Sequence, residues 1–275
     1  MFIPFGFFAA QGSGYTPETD AFIAAVEGGG DTLTTTEKDA VDALVVDLQA
    51  ASLFSTMGYL YPFVGGTSTS MKWNLRDTTT AEIVWYGGMT FTSQGIDGNA
   101  TNSGGDSGLN PNTLGYTQMA IGGYLNNIPT PPASPGYYDF GMYDNVTVRD
   151  TMLSYGWQGA STKYANLSGV YSNTTSGTYA KSTIYMQHSG TATQIYQNAT
   201  QLLSSTTTFS ISTNNVGIGC SWRFGPAGAG PSFAPYAPTG RGFGLAFCSS
   251  TSYSGAQVTD LNNAITTFVT SLSRN

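Results

Sequence analysis

TTTEKDAVDALVVDLQAASLFSTMGYLYPFVGGTSTSMKWNLRD, residues 34–77, and GLAFCSSTSYSGAQVTDLNNAITTFVTSLSR, residues 244–274, read as the opening and closing halves of one domain. In the first, Thr34 with Glu37 three residues on forms a capping box, and Ala40, Val41, Leu44, Val45 and Leu48 recur at helical spacing. Beyond Ala50 the pattern Leu53, Phe54, Met57, Leu60, Tyr61 predicts either a continuation or a third helix, closed by Pro62 and Gly65-Gly66. In the second, Ser254 and Gln257 form another capping box, ahead of Val258, Leu261, Ile265, Phe268 and Leu272. A shorter helix precedes both: Thr16-Pro17-Glu18 starts it, Phe22, Ile23 and Val26 give it an apolar stripe, and Gly28, Gly29 and Gly30 stop it.

Between these ends the period changes. From Met71 onward short apolar runs alternate with Gly and Pro turns, and the predicted strands are 82–86, 89–92, 117–122, 137–143, 179–187, 191–197, 206–212, 216–224 and 242–248. So many strands with so little helix among them make a mainly β fold, an antiparallel β-sandwich or jelly roll with N-terminal helices and one C-terminal helix. The domain reading is an apolar arm at 1–15 and a single jelly-roll domain at 16–275, with a helical opening at 16–66, a sandwich at 67–250 and a closing helix at 254–274. Turn-rich stretches at 94–112, 129–136 and 226–240 read as the long loops where binding is expected.

Composition narrows the function classes. Charged residues are 9% of the chain, hydrophobic residues 40% and aromatics 13%, so there is ample apolar surface for a packed core. A net charge of −7 with scattered Lys and Arg argues against nucleic acid as a partner. The opening MFIPFGFF is apolar and too short to span a membrane. Its Phe2, Ile3, Phe5, Phe7 and Phe8 form an assembly arm expected to pack on its own domain or into a neighbouring subunit. Cys220 and Cys248 are too few for a disulfide framework; they read as buried thiols, or as one cross-strand bond in an oxidising compartment.

Catalytic constellations are sparse, and no enzyme is expected. A glycosidase needs two facing carboxylates, yet Glu occurs only as Glu18, Glu27, Glu37 and Glu82, and the pairs Asp139/Asp144 and Asp144/Asp150 read as exposed or turn residues. His188 is the sole histidine, which excludes a multi-imidazole zinc site, and no G-x-S-x-G elbow accompanies it. No cofactor is expected, with calcium as the one alternative: the run from Asp97 to Asp106 concentrates oxygen ligands, and Asp97 and Asp106 are its candidate ligands, though Asx turns explain the same composition. Tyr155 and Trp157, in a loop-like stretch at 154–159, are the candidate glycan platform, since exposed aromatics stack on sugars.

The segments Tyr61-Pro62-Phe63-Val64-Gly65-Gly66, Lys72-Trp73-Asn74-Leu75-Arg76-Asp77 and Leu245-Ala246-Phe247 with the closing helix resemble tailed-phage virion and tail-appendage proteins that carry a concanavalin A-like (laminin-G-like) jelly-roll domain. The resemblance implies a non-enzymatic structural component of a phage virion, in a tail, fibre or other appendage, whose partners are other virion proteins and copies of itself, with no membrane span. Alternatives are a carbohydrate-binding adhesin for host surface glycans, serving host attachment, or a capsid decoration protein.

Overall fold

The computed structural model describes residues 14–99, 103–128, 139–143, 151–157, 162–167, 170–174, 180–206, 211–224, 231–235 and 242–274. Two helices open the fold, α1 (Pro17–Gly28) and α2 (Thr35–Ala50), followed by strand β1 (Met57–Tyr61). Four three-residue strands come next, β2 (Val84–Tyr86), β3 (Thr90–Thr92), β4 (Gly95–Asp97) and β5 (Gly104–Asp106), then the long β6 (Met119–Asn127). The body continues through β7 (Phe140–Tyr143), β8 (Thr151–Trp157), β9 (Thr162–Leu167), β10 (Val170–Thr174), β11 (Ser182–His188), β12 (Ala192–Gln197) and β13 (Thr200–Thr206). It closes with β14 (Gly217–Ile218), β15 (Cys220–Phe224), β16 (Pro231–Pro235), β17 (Gly242–Ser249) and helix α3 (Gly255–Ser271).

These strands form a two-sheet antiparallel sandwich of the jelly-roll type. Sheet A runs β13-β12-β11-β6-β17-β4-β3, with β1 on the edge of β17 that β4 leaves open; sheet B runs β10-β9-β8-β7-β14-β5-β2, with β15 joined to β7 and β16. Among the described pairings only β15 with β7 is parallel. The central strands of sheet A, β11, β6 and β17, are buried on both faces. One face, with Ile121, Leu125, Ile184, Met186, Phe243, Ala246 and Cys248, meets sheet B; the other, with Ala120, Tyr124, Tyr185, Leu245 and Phe247, meets the helices. Phe243 and Ala246 share a face despite odd spacing because the register with β6 shifts between Phe243 and Leu245, so one extra residue resets the alternation.

The helices form by the signals in their sequence. Thr34 accepts from the Glu37 N–H at 3.2 Å while the Glu37 carboxylate accepts from the Thr34 N–H at 2.9 Å, and Ser254 with Gln257 repeats the arrangement on α3. Caps alone leave helices of 16 and 17 residues marginal in water. Burial of Val41, Leu44, Val45 and Leu48 on α2 and of Val258, Leu261, Ile265 and Phe268 on α3 supplies the rest, about 1.5–3 kcal/mol per side chain. The closing helix therefore packs beside α2 on the outer face of sheet A.

Several expectations are corrected. Met57–Tyr61 is a strand, not a third helix, so the opening at 16–66 is not wholly helical. Its Tyr59 and Tyr61 point into the sandwich and Leu60 toward the helices; a bulge at Gly58 also lets Met57 reach the helix side. The expected loop at 94–112 contains β4 and β5, and the one at 226–240 contains β16. β8, β9 and β10 were not anticipated, and the edge strand is Thr200–Thr206, whereas Ile211 and Ser212 of the expected strand at 206–212 are irregular.

The segments that carried the family resemblance converge in space. Arg274 is fully buried, and its guanidinium donates to the carbonyls of Ser93 (3.0 and 2.7 Å), Phe63 (3.0 Å), Gly244 (3.2 Å) and Pro62 (3.4 Å). Phe63 is held at φ 43°, a left-handed backbone that a bulky residue adopts only when its surroundings enforce it. Glu37, besides capping α2, accepts from the Gly65 N–H at 2.8 Å. Asn74 seals the outer edge of β1: its Oδ1 accepts from the Leu60 N–H at 3.0 Å, its Nδ2 donates to the Gly58 carbonyl at 3.2 Å, and the Leu75 N–H donates to the Leu60 carbonyl at 2.8 Å.

Candidate functional site

The loop between β5 and β6 builds an open pocket of about 290 Å³ with the turn before β2. It is lined by Gly58, Thr80, Ala81, Gly108, Leu109, Asn110, Thr113 and Leu114, none of them charged. The loop is fixed by its own Asx and Ser chemistry. The Asp106 carboxylate accepts from the Gly108 N–H at 2.8 Å, Ser107 Oγ from the Leu109 N–H at 3.1 Å, and Asn110 Oδ1 from the Thr113 N–H at 3.1 Å. Asn110 Nδ2 donates to the Thr213 carbonyl at 2.6 Å, tying the loop to the segment before β14. The opposite wall is held by the Tyr61 hydroxyl, which donates to the Ala81 carbonyl.

Gly58 forms the floor. A Cβ there would collide with the Tyr116 hydroxyl and lie 2.8 Å from Leu109 Cδ1, so the bulge that turns β1 also makes room for the pocket. Burial pushes the Tyr116 phenol up to about 12, so it is a neutral hydroxyl at physiological pH. Leu114 stands at the rim, 56% exposed. The site thus offers apolar surface from Leu109, Leu114 and Ala81 beside hydroxyl and amide groups. That chemistry suits an uncharged ligand with both apolar faces and hydroxyls.

The candidate residues read from the sequence lie elsewhere. Tyr155 and Trp157 are not in a loop: they belong to β8, paired with Lys163 and Thr162 across a register shift. Asp97 ends β4 of sheet A and Asp106 ends β5 of sheet B. Burial pushes the Asp97 carboxyl up, while Asp106 accepts from Gly108 and, at 3.2 Å, from Asn215 Nδ2. Among the described residues no group of three or more His, Cys, Asp or Glu gathers as metal ligands do. The arm residues Phe2, Ile3, Phe5, Phe7 and Phe8 lie outside the described residues.

Other titratable groups have structural surroundings. Glu27 pairs with Lys38 at 2.6 Å, Glu82 pairs with Lys72, and Glu18 sits in the first turn of α1. Asp139 is fully buried and sits in the bend that leads into β7, so of the two expected roles, exposed or turn, exposure does not hold; its backbone carbonyl accepts from Gly219 at 2.7 Å, and Asp144 and Asp150 lie outside the described residues. His188 ends β11, buried, with Nδ1 3.3 Å from Thr193 Oγ1, and burial lowers its pKa. Cys248 is a buried free thiol in sheet A, while Cys220 begins β15 in sheet B. No helix among the described residues is long and apolar enough to cross a membrane.

Residues 107–112 fall in the stretch that the sequence marks as a binding loop; what it did not disclose is that the loop runs on to Tyr116 and meets Gly58 and Ala81. The loop's signal was Leu109 and Leu114 embedded in turn-forming Gly, Asn and Pro, apolar side chains that a solvated loop does not need.

No protein-family model matches the sequence. No curated protein matches it either. Solved structures do match in fold. Trypanosoma rangeli sialidase in complex with sialic acid aligns with TM-score 0.54 at 11% identity over 80% of this chain and 38% of that one. The receptor-binding domain of botulinum neurotoxin C/D mosaic serotype aligns at 0.52 and 10% over 76% and 51%. A botulinum neurotoxin type C structure, described by cell entry dependent on two ganglioside molecules, aligns at 0.52 and 10% over 78% and 53%. The chain spans about half the length of these toxin domains, and at such identities the likeness is one of fold.

Proposed function

We propose that this chain is a non-enzymatic carbohydrate-binding module that takes a neutral sugar unit of a larger glycan in the pocket of Gly58, Ala81, Leu109, Asn110 and Leu114. The observation that carries this reading is the pocket's composition: uncharged, largely apolar through the aliphatic Leu109, Leu114 and Ala81, and edged by Asn110, Thr80 and Thr113, a mix that fits the apolar C–H face of a sugar ring with hydroxyls around it. The sandwich fold is shared with a sialidase that holds sialic acid and a toxin whose cell entry depends on gangliosides; this supports carbohydrate as the class of ligand, while the choice of a neutral unit rests on the uncharged lining alone. A glycan array tests it. Binding should be lost with Leu114→Asp and weakened about tenfold or more with Thr113→Val, because one removes apolar contact and the other a rim hydroxyl, while Asn110 is left to hold the loop. A blank array contradicts the reading; binding that survives both variants but fails in Trp157→Ala moves the site to β8.

The setting we propose is an appendage of a tailed-phage particle, on the strength of the resemblance in 61–66, 72–77 and the closing segment. What supports it is that those segments are tied together around β1: Arg274 of the closing segment donates to the carbonyls of Pro62 and Phe63, and Asn74 bonds the edge of β1 at Leu60. Particles that never contain the protein would remove this setting and leave the glycan site standing.

A further inference from the structure

We infer that the ends of β4, β6 and β17 form a binding site for calcium, held by the carboxylate of Asp97 and the side-chain oxygens of Asn126 and Asn127. Gly242 makes the site possible. It opens β17 opposite Asp97 of β4 on one side and Asn127 of β6 on the other, and the register with β6 shifts between Gly242 and Phe243, leaving Asn126 as the extra residue of a bulge. A bulge re-aims side chains. Here it turns Asn126 toward Asp97: a Cβ on Gly242 would collide with Asn126 Oδ1 and stand 2.7 Å from Asp97 Oδ1 and 3.0 Å from Asn127 Cβ. Without that Cβ the three side chains share one space.

Two oxygens in that space lack a counterpart. Asn126 is 8% exposed, its Nδ2 donates to the Gln94 carbonyl, and its Oδ1 is buried with no donor in reach. Swapping the ends of the amide would set Oδ1 against the Gln94 carbonyl, so the orphan oxygen is the one that faces Asp97. The Asp97 carboxylate is half-buried, and burial alone acts on it, with no hydrogen bond or neighbouring charge to offset the cost. Arg274 does not answer it, because its donors are engaged by the carbonyls of Ser93, Phe63, Gly244 and Pro62. Two facing oxygens, one of them charged, repel unless something positive lies between them. Calcium takes carboxylate and amide oxygens at about 2.3–2.6 Å, closer than a water packs, so it suits a place that shuts water away from Asn126 Oδ1. Asn127 is exposed, which leaves the outer side of the ion to its amide and to water. The donors are one carboxylate and two amides, with no part for Asp106 on the other sheet, and so low a charge makes a weak site, with Kd of about 0.1–1 mM.

Calorimetric titration of the chelator-treated full chain with calcium chloride at pH 7 tests the inference. Wild type should bind in that range, and calcium at ten times its Kd should raise the melting temperature by roughly 3–6 °C. Amide shifts on calcium addition should centre on Gly98, Asn127 and Gly242, a readout on wild type that stands even where a variant fails to fold. Asp97→Asn should abolish binding, and because its new amide can donate to Asn126 Oδ1 it should melt no lower than calcium-free wild type. Asp260→Asn, an exposed change on α3, removes the same charge and should leave binding intact. Neither heat nor a melting shift with calcium up to about 10 mM overturns the inference. So does binding that survives Asp97→Asn, or amide shifts centred elsewhere. A wild type indifferent to calcium but stabilised on acidification to about pH 5 also overturns it, since a proton shared between Asp97 and Asn126 then takes the place of the ion.

Discussion

Replacing Arg274 by Met should destabilise the protein by about 3 kcal/mol. The guanidinium has three carbonyl acceptors within 3.2 Å, those of Ser93, Phe63 and Gly244, and a fourth, that of Pro62, at 3.4 Å. Leaving a buried acceptor without its donor costs about 1–3 kcal/mol, so the three close ones alone amount to roughly 3–9 kcal/mol. Part of this is offset, because burying the charge is itself unfavourable: desolvation pushes the Arg274 pKa down to about 10, and Met escapes that cost while filling similar space. The balance, about 3 kcal/mol, corresponds to a fall in Tm of roughly 6–12 °C for a domain of this size. Arg274→Lys keeps the charge but loses the planar fork that reaches several carbonyls at once, and should cost about half as much. Urea denaturation at pH 7, followed by tryptophan fluorescence, measures both. A Met variant within about 0.5 kcal/mol of wild type would refute the idea that this side chain locks the C-terminus to the opening segment.

Three further outcomes are expected. Gly58→Ala should destabilise by about 1–3 kcal/mol and close the pocket, since its methyl displaces Leu109 and the Tyr116 hydroxyl; thermal melts and the glycan assay report the two effects separately. His188 is held neutral by burial, so its folded pKa lies below the unfolded value; the unfolded chain takes up the proton first, and stability should fall as pH drops from about 7 toward 5. That component should vanish in His188→Gln, measured as the difference between the two pH profiles. Cys248 is a buried thiol whose pKa burial raises, so it should react with a thiol reagent in native protein only at the rate of unfolding, and promptly in denaturant.

What the sequence disclosed followed from locality. The three helices were legible because capping boxes and apolar stripes lie within a few residues of one another, as at Thr34–Glu37 and Ser254–Gln257. The strand Met57–Tyr61 was misread because a strand buried on both faces loses its alternation, and its apolar run at 53, 54, 57, 60 and 61 imitates helical spacing. β13 escaped for the opposite reason: an exposed edge strand such as TQLLSST shows little apolar pattern at all. The pocket was illegible because Gly58, Ala81 and Leu109 come from three separate segments, brought together by the sandwich and by Tyr61 bonding to Ala81. Tyr155 and Trp157 attracted attention as aromatics, yet composition does not distinguish a loop platform from a strand.

The most direct measurement is amide chemical-shift mapping of the folded protein titrated with a saccharide that it retains on an array. The largest shifts should fall on Gly58, Ala81, Leu109, Asn110 and Leu114, and should disappear in Leu114→Asp. Shifts confined to β8, or none at saturating sugar, would contradict the placement of recognition in the loop between β5 and β6.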